Sequence, residues 1–170
     1  MKSRRKTELF LMSLLFILFI QMKGQHLGLS FDAANKSGLN WKTIDSTYKV
    51  IYYLGDAKAV FNNLLELVTF QNAYQKMMTD LETFLKQNNF DWKRPYIMVS
   101  TQVYFDTDGT IDYFLYCYLK NNPKTRLQLP KEKDKEFNRL LNLFIKDYST
   151  NIRTNVKFAY QKVFQLNQTK

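Results

Sequence analysis

The residues that could do chemistry gather in few places. Asp106-Thr107-Asp108-Gly109-Thr110-Ile111-Asp112 sets three carboxylates around one glycine, a run that an oxygen-ligated cation could use. A calcium loop with Gly109 at its sixth position would need an acidic first ligand and a bidentate Glu at its twelfth. Tyr104 and Leu115 stand at those positions, so the run reads as a turn. The only thiol, Cys117, lies in an apolar stretch with no adjacent cation to lower its pKa, which suits packing better than nucleophilic attack. The only imidazole, His26, falls in a loop-like stretch and reads as solvent-exposed. One Cys and one His exclude an internal disulfide, a multi-Cys zinc or iron–sulfur site and a multi-His metal site. They leave Ser-His-Asp and Cys-His machinery a single candidate base. No carboxylate couple and no Gly-rich phosphate loop stands out. The chain is expected to be non-enzymatic and to use no metal or cofactor.

Aromatic and basic side chains are the other resource. The 170 residues are 45% hydrophobic and 16% aromatic, enough to bury a core and to exclude intrinsic disorder. At the N-terminus, Lys2, Arg4, Arg5 and Lys6 precede the apolar run Leu9 to Ile20 and the polar stretch Gln21 to Gln25. This order predicts a secretory signal peptide over 1–24. The apolar run reaches only about 18 Å as a helix, short of a roughly 30 Å hydrocarbon core. Cleavage near Gly24 is expected, an uncleaved signal anchor being the competing reading. The protein is then exported, periplasmic or secreted, with no transmembrane span after cleavage. The net charge of +10 falls to +6 without residues 1–24. Residues 25–119 carry eight basic and ten acidic groups, and residues 120–170 carry twelve and four. A basic C-terminal third suits either an anionic partner or solvent-facing lysines. With no recognisable nucleic-acid motif, DNA and RNA are not expected partners.

The elements that must position these residues follow from pattern. Residues 25–56 read as an N-terminal arm with a candidate strand from Tyr48 to Leu54, stopped by Gly55, with Asp56 as an N-cap. Residues 57–170 read as one α+β domain. Its first part, 57–90, is helical. One apolar set is Phe61, Leu64, Leu65 and Val68; another is Phe70, Tyr74, Met77, Met78, Leu81 and Leu85. They lie on one long helix or on two joined by a kink. Alternation then predicts a hairpin, 96–105 and 110–120. A three-residue loop with Gly109 left-handed pairs Phe105 with Ile111, Val103 with Tyr113 and Val99 with Cys117. An amphipathic helix over 131–148 follows, with Pro130 at its start, and then a last strand over 156–166 with an irregularity near Lys162. The expected architecture is an antiparallel sheet of about three strands packed with helices, preceded by a helical region.

In that register Tyr104, Phe114, Tyr116 and Tyr118 share the hairpin's second apolar face. Helices could cover it, or it could be a partly exposed platform for a glycan or protein. Phe158, Tyr160, Lys157 and Lys162 on or beside the last strand complete the candidate binding set. The segment from Gln102 through Phe105, Asp106, Asp108 and Gly109 to Asp112 has apolar alternation, a polar-Asp-Gly turn and a short polar-apolar run. With the order hairpin, helix, final strand behind an export signal, residues 96–166 resemble the TonB C-terminal domain, and most of all its small exported relatives in Bacteroidetes. The resemblance implies a small α+β module whose edge strand pairs with a partner peptide. The expected function is a non-enzymatic interaction module of the cell envelope with a protein or peptide partner. The alternative is an anion- or glycan-binding envelope protein. It would hold an anionic lipid or glycan with the basic C-terminal third and the tyrosine face.

Overall fold

The computed structural model describes residues 26–39, 41–51, 54–120 and 125–167. The stretch read as a signal peptide, 1–24, lies outside them. Ten elements follow in chain order: β1 (Leu27–Ser30), α1 (Phe31–Lys36), α2 (Trp41–Thr47), β2 (Lys49–Ile51), α3 (Leu54–Ala57), α4 (Leu64–Gln87), β3 (Tyr96–Phe105), β4 (Ile111–Leu119), α5 (Lys131–Lys146) and β5 (Phe158–Asn167). Among the described residues no helix is long and apolar enough to cross a membrane.

The strands form one five-stranded mixed sheet in the order β1-β4-β3-β5-β2. Its centre, β4-β3-β5, is antiparallel. β1 joins β4 in parallel at one edge, and β2 joins β5 in parallel at the other. This overturns the expectation of an antiparallel sheet of about three strands. β1 has four residues, too few for period-two alternation to show in sequence, while β2 is a three-residue part of the candidate strand read from Tyr48 to Leu54. Each is parallel to a strand far along the chain, so no turn residue announces the pairing.

Two long helices cover one face of the sheet. The chain breaks between α3 and α4 where Asn63 caps α4: its side-chain oxygen accepts the Glu66 N–H at 2.9 Å. The Glu66 carboxylate in turn accepts the Asn62 N–H at 2.8 Å, a reciprocal cap. The cap is therefore at Asn63, and Asp56 lies inside α3. Leu67, Phe70, Tyr74, Met77, Met78, Leu81 and Leu85 are the buried stripe of α4. Phe70 meets Phe105 and Phe158 with ring centres at 5.5 and 5.0 Å. Leu64, Leu65 and Val68, expected in the same core, are exposed. On α5 the buried residues are Phe137, Leu140, Leu141 and Ile145, with Glu132 and Asp134 in the first turn, where the helix dipole favours them. The α5 helix lies so close to β1 that a Cβ on Gly28 would stand 2.9 Å from the Leu141 side chain.

The hairpin register differs from the expected one. Phe105 pairs with Ile111, but Tyr104 pairs with Tyr113, Val103 with Phe114 and Val99 with Tyr118. Asp112 is the extra residue of a β-bulge. A one-residue shift moves every later side chain to the other face. Ile111 keeps to the helix side, and beyond the bulge Phe114, Tyr116 and Tyr118 join it there. Leu115 and Tyr113 instead turn to the opposite face, with Tyr104. That face is covered by the N-terminal arm through Ala34, Ile44 and Tyr48. The stretch read as loop-like thus supplies β1 and α1, and with α2 and Tyr48 it covers this face of the sheet. On β5 the pairing with β3 runs unbroken from Phe158 to Asn167, so the irregularity expected near Lys162 is absent.

Candidate functional site

The tyrosine face does not form a platform. Tyr104, Phe114 and Tyr116 have no exposed surface and Tyr118 is 6% exposed. The bulge puts Tyr104 against Tyr48 under the arm and the other three under α5, where Tyr116 meets Phe137 edge-on at 4.9 Å. Trp92 lies 6.1 Å from Tyr118. Both phenols of Tyr116 and Tyr118 donate to Asp134 Oδ1, at 3.2 and 2.9 Å. Burial first, and then the Asp134 charge among others, push both phenols well above the usual tyrosine range. At that pair a cavity of about 250 Å³ opens, bordered by Phe31, Asp32, Arg126 and Lys131. An Arg126–Asp32 ion pair of 2.7 Å spans part of its wall.

Lys157 is not a free cation. Its ammonium lies 2.8 Å from Asp106 Oδ2 and 3.0 Å from Asp112 Oδ2. Tyr48 from the arm donates to the same Asp112 oxygen at 2.5 Å. Asp112 is almost fully buried, and its Oδ1 has no partner among the described residues. Burial works to lower the Lys157 pKa, but hydrogen bonds and charge from Asp106 and Asp112 outweigh it and hold the ammonium above its ordinary value. For Asp106 burial would raise the pKa; Lys157 and the Thr107 N–H outweigh it and hold the carboxyl low. Burial, then the Asp112 hydrogen bond, push the Tyr48 phenol far up. The group therefore sits as a fixed ion pair with a neutral phenol, tying the arm to the hairpin and to β5.

His26 also differs from expectation. It is half-buried, with Nδ1 2.8 Å from the Ile111 carbonyl. Cys117 is half-buried and burial pushes its thiol up, which suits an inert thiol. Among the described residues no group of three or more His, Cys, Asp or Glu side chains is placed to hold a metal ion.

The last strand is covered on its outer side by β2 over only part of its length. Phe158 is buried and stacks on Phe105 at 5.1 Å, while Tyr160 is half-buried against Phe70 and Tyr74. Lys162 is exposed, its ammonium 5.2 Å from the Phe164 ring centre. β2 pairs with β5 only over Phe158 to Tyr160. The chain after β2 enters α3 at Leu54, so it can accompany β5 no further than Lys162. Alternate residues of a strand turn their backbone groups to opposite sides. The Lys157 carbonyl accepts the Lys49 N–H, and the Asn167 N–H donates to Glu82 Oε1. Odd-numbered residues therefore face the outer side, and those of Val163 and Gln165 meet no strand among the described residues. The opposite edge of the sheet is closed. Asn142 Oδ1 accepts the Gly28 N–H at 2.9 Å, and the amides of Asn138 and Asn142 donate to the Gly28 carbonyl at 2.8 and 2.9 Å.

Sequence pattern alone missed Asp112, Tyr48 and the Asn138–Asn142 pair. The amides had a signal, since two Asn four apart share one helix face, but nothing marked what that face meets. No family model, curated protein or solved structure matches the chain.

Proposed function

We propose that the protein is an exported interaction module that takes an extended segment of a partner protein along the open half of β5. The observation that carries this is the contrast between the two sheet edges. One edge has its outward backbone groups capped by Asn138 and Asn142, while Val163 and Gln165 present theirs unpaired among the described residues. Sheet edges left in this state accept an added strand, with backbone bonds supplying affinity. Val163 is 42% exposed and gives such a strand an apolar contact. The resemblance of residues 96–166 to the TonB C-terminal domain supports the same reading. The basic, apolar N-terminal sequence supports export to the envelope. The rings of Tyr104, Phe114, Tyr116 and Tyr118 are core and offer a glycan no platform.

Proline tests the idea. At Val163 it removes an outward N–H and spares the bonds to β3. A photo-crosslinker at Gln165 should capture an envelope protein with the natural chain, and V163P should lose that capture at least tenfold. Far-UV circular dichroism should stay unchanged. Once that partner is purified, its addition should slow amide exchange at Val163 and Gln165. Undiminished capture by a folded V163P would sink the proposal.

A further inference from the structure

At the end of the sheet away from the Asp106–Gly109 turn lies a cleft of about 490 Å³. Its apolar lining includes Tyr96, Ile97, Met98, Leu119 and Leu127, and its cations are Arg94 and Lys120. Among the described residues no carboxylate lines it. Both cations are exposed, and neither is in an ion pair among the described residues, although Lys93, Arg126 and Lys133 all are.

The backbone that carries the two cations is held from both sides. Lys93 has φ +55 and its N–H donates to Asp91 Oδ1 at 2.7 Å, while its ammonium pairs with Asp91 at 2.6 Å. Phe90 and Trp92 anchor that turn in the core against Phe137, and Pro95 follows Arg94 into β3. Across the cleft, the Lys120 N–H donates to the Thr125 carbonyl at 2.8 Å and the Leu127 N–H to the Tyr118 carbonyl at 2.9 Å. Leu119 and Arg126 form an antiparallel bridge. A site whose walls are fixed before a ligand arrives loses less freedom on binding.

We propose that this cleft binds a small anionic amphiphile. Its phosphate or carboxylate would lie between Arg94 and Lys120, and its apolar chain along Tyr96, Met98, Leu119 and Leu127. Two uncompensated cations select the charge. The apolar lining makes a bare inorganic anion a poor fit. The volume falls within the roughly 300–1,000 Å³ of small-molecule pockets, which favours a free amphiphile over a macromolecule. Neither Val163 nor Gln165 lines the cleft.

Octyl phosphate below its critical micelle concentration is the probe, followed by calorimetry and by the methyl resonances of Met98 and Thr125. It should bind and move those resonances. Inorganic phosphate and octyl glucoside should each bind at least tenfold more weakly, since one lacks the chain and the other the charge. Affinity should drop severalfold between low and high salt, because the cations are exposed to screening. The double variant Arg94→Gln/Lys120→Gln should lose tenfold or more with its melting temperature unchanged. Lys36→Gln/Lys86→Gln, which removes the same charge elsewhere, should bind like the natural chain. Equal affinity in R94Q/K120Q, or octyl glucoside matching octyl phosphate, would overturn the proposal. So would cosedimentation with phosphatidylglycerol vesicles in the absence of any octyl phosphate binding, because the charge would then act at a bilayer surface.

Discussion

Among single residues, Asp112 decides most. It is the bulge residue that reverses the faces of β4, and its buried carboxylate takes Tyr48 and Lys157 on one oxygen. Removing one partner of such a pair strands the other charge, which usually costs more than the pair contributes. Lys157→Met should therefore destabilise by about 2 kcal/mol, at the low side for buried pairs because the lysine is one-third exposed. Adding Asp112→Asn should recover part of the loss, a coupling that urea midpoints of the two singles and the double would measure. If the double variant loses the full sum, the two side chains are not coupled. The same group sets a pH window. Asp106 is held below its ordinary 3.8, so its contribution is present above that value and lost as pH falls through the lower folded value. Lys157 is held above 10.5, so its contribution is present below that value and lost as pH rises through the higher folded value. Stability from this group should be flat between about pH 5 and 10. Lys157→Met should weaken the acid-side fall in urea titrations at pH 2 to 5, and an unchanged acid limb would refute that. In sequence Asp112 looked like part of a polar turn. Only the bulge, which depends on packing on both faces, carries it inside.

At the scale of elements, the sheet edge at β1 shows what close approach requires. Gly28 lets α5 come near enough for Asn138 and Asn142 to reach its backbone. Gly28→Ala should push on Leu141 and cost about 1–3 kcal/mol, as overpacking does. Asn142→Ala leaves the Gly28 N–H without its acceptor and should cost about 1–2 kcal/mol. It should also speed exchange of the Gly28 amide well before global unfolding; exchange at the natural rate would show that the amide has another partner. The legible elements were those long enough to repeat their period. The 96–105 and 111–119 strands, the 131–146 helix and the 158–167 strand stand within two or three residues of where alternation and helical spacing put them. The 64–87 helix was read without its true start, because Leu64, Leu65 and Val68 mimic a core stripe although solvent meets them. The Asn62-Asn63-x-x-Glu66 cap was the better guide. β1 was illegible because four residues carry no period; β2 was legible as a candidate strand, but its pairing was not, because its partner lies far along the chain.

For the whole molecule, the arm matters more than its length suggests. Residues 26–51 place one strand at each edge of the sheet and cross beneath its face, covering Tyr104, Leu115 and Ala159. A chain starting at residue 52 should expose that apolar face, bind a hydrophobic dye and lose cooperative unfolding. A sharp two-state transition without dye binding would mean that the helix-side core stands alone. Of the candidate site, the last strand was legible as the place to look, while its free portion was not, because that depends on where β2 stops. The parallel edges also fix an order of events. Leu27 must wait for Tyr113, and Lys49 must wait for Phe158; contacts this distant in sequence form late and slow folding. The part of the chain made first is thus the part settled last. In pulse-labelled refolding the amides of β3 and β4 should be protected before those of β1 and β2. Until β5 is in place, the arm remains available to whatever meets the unfinished chain.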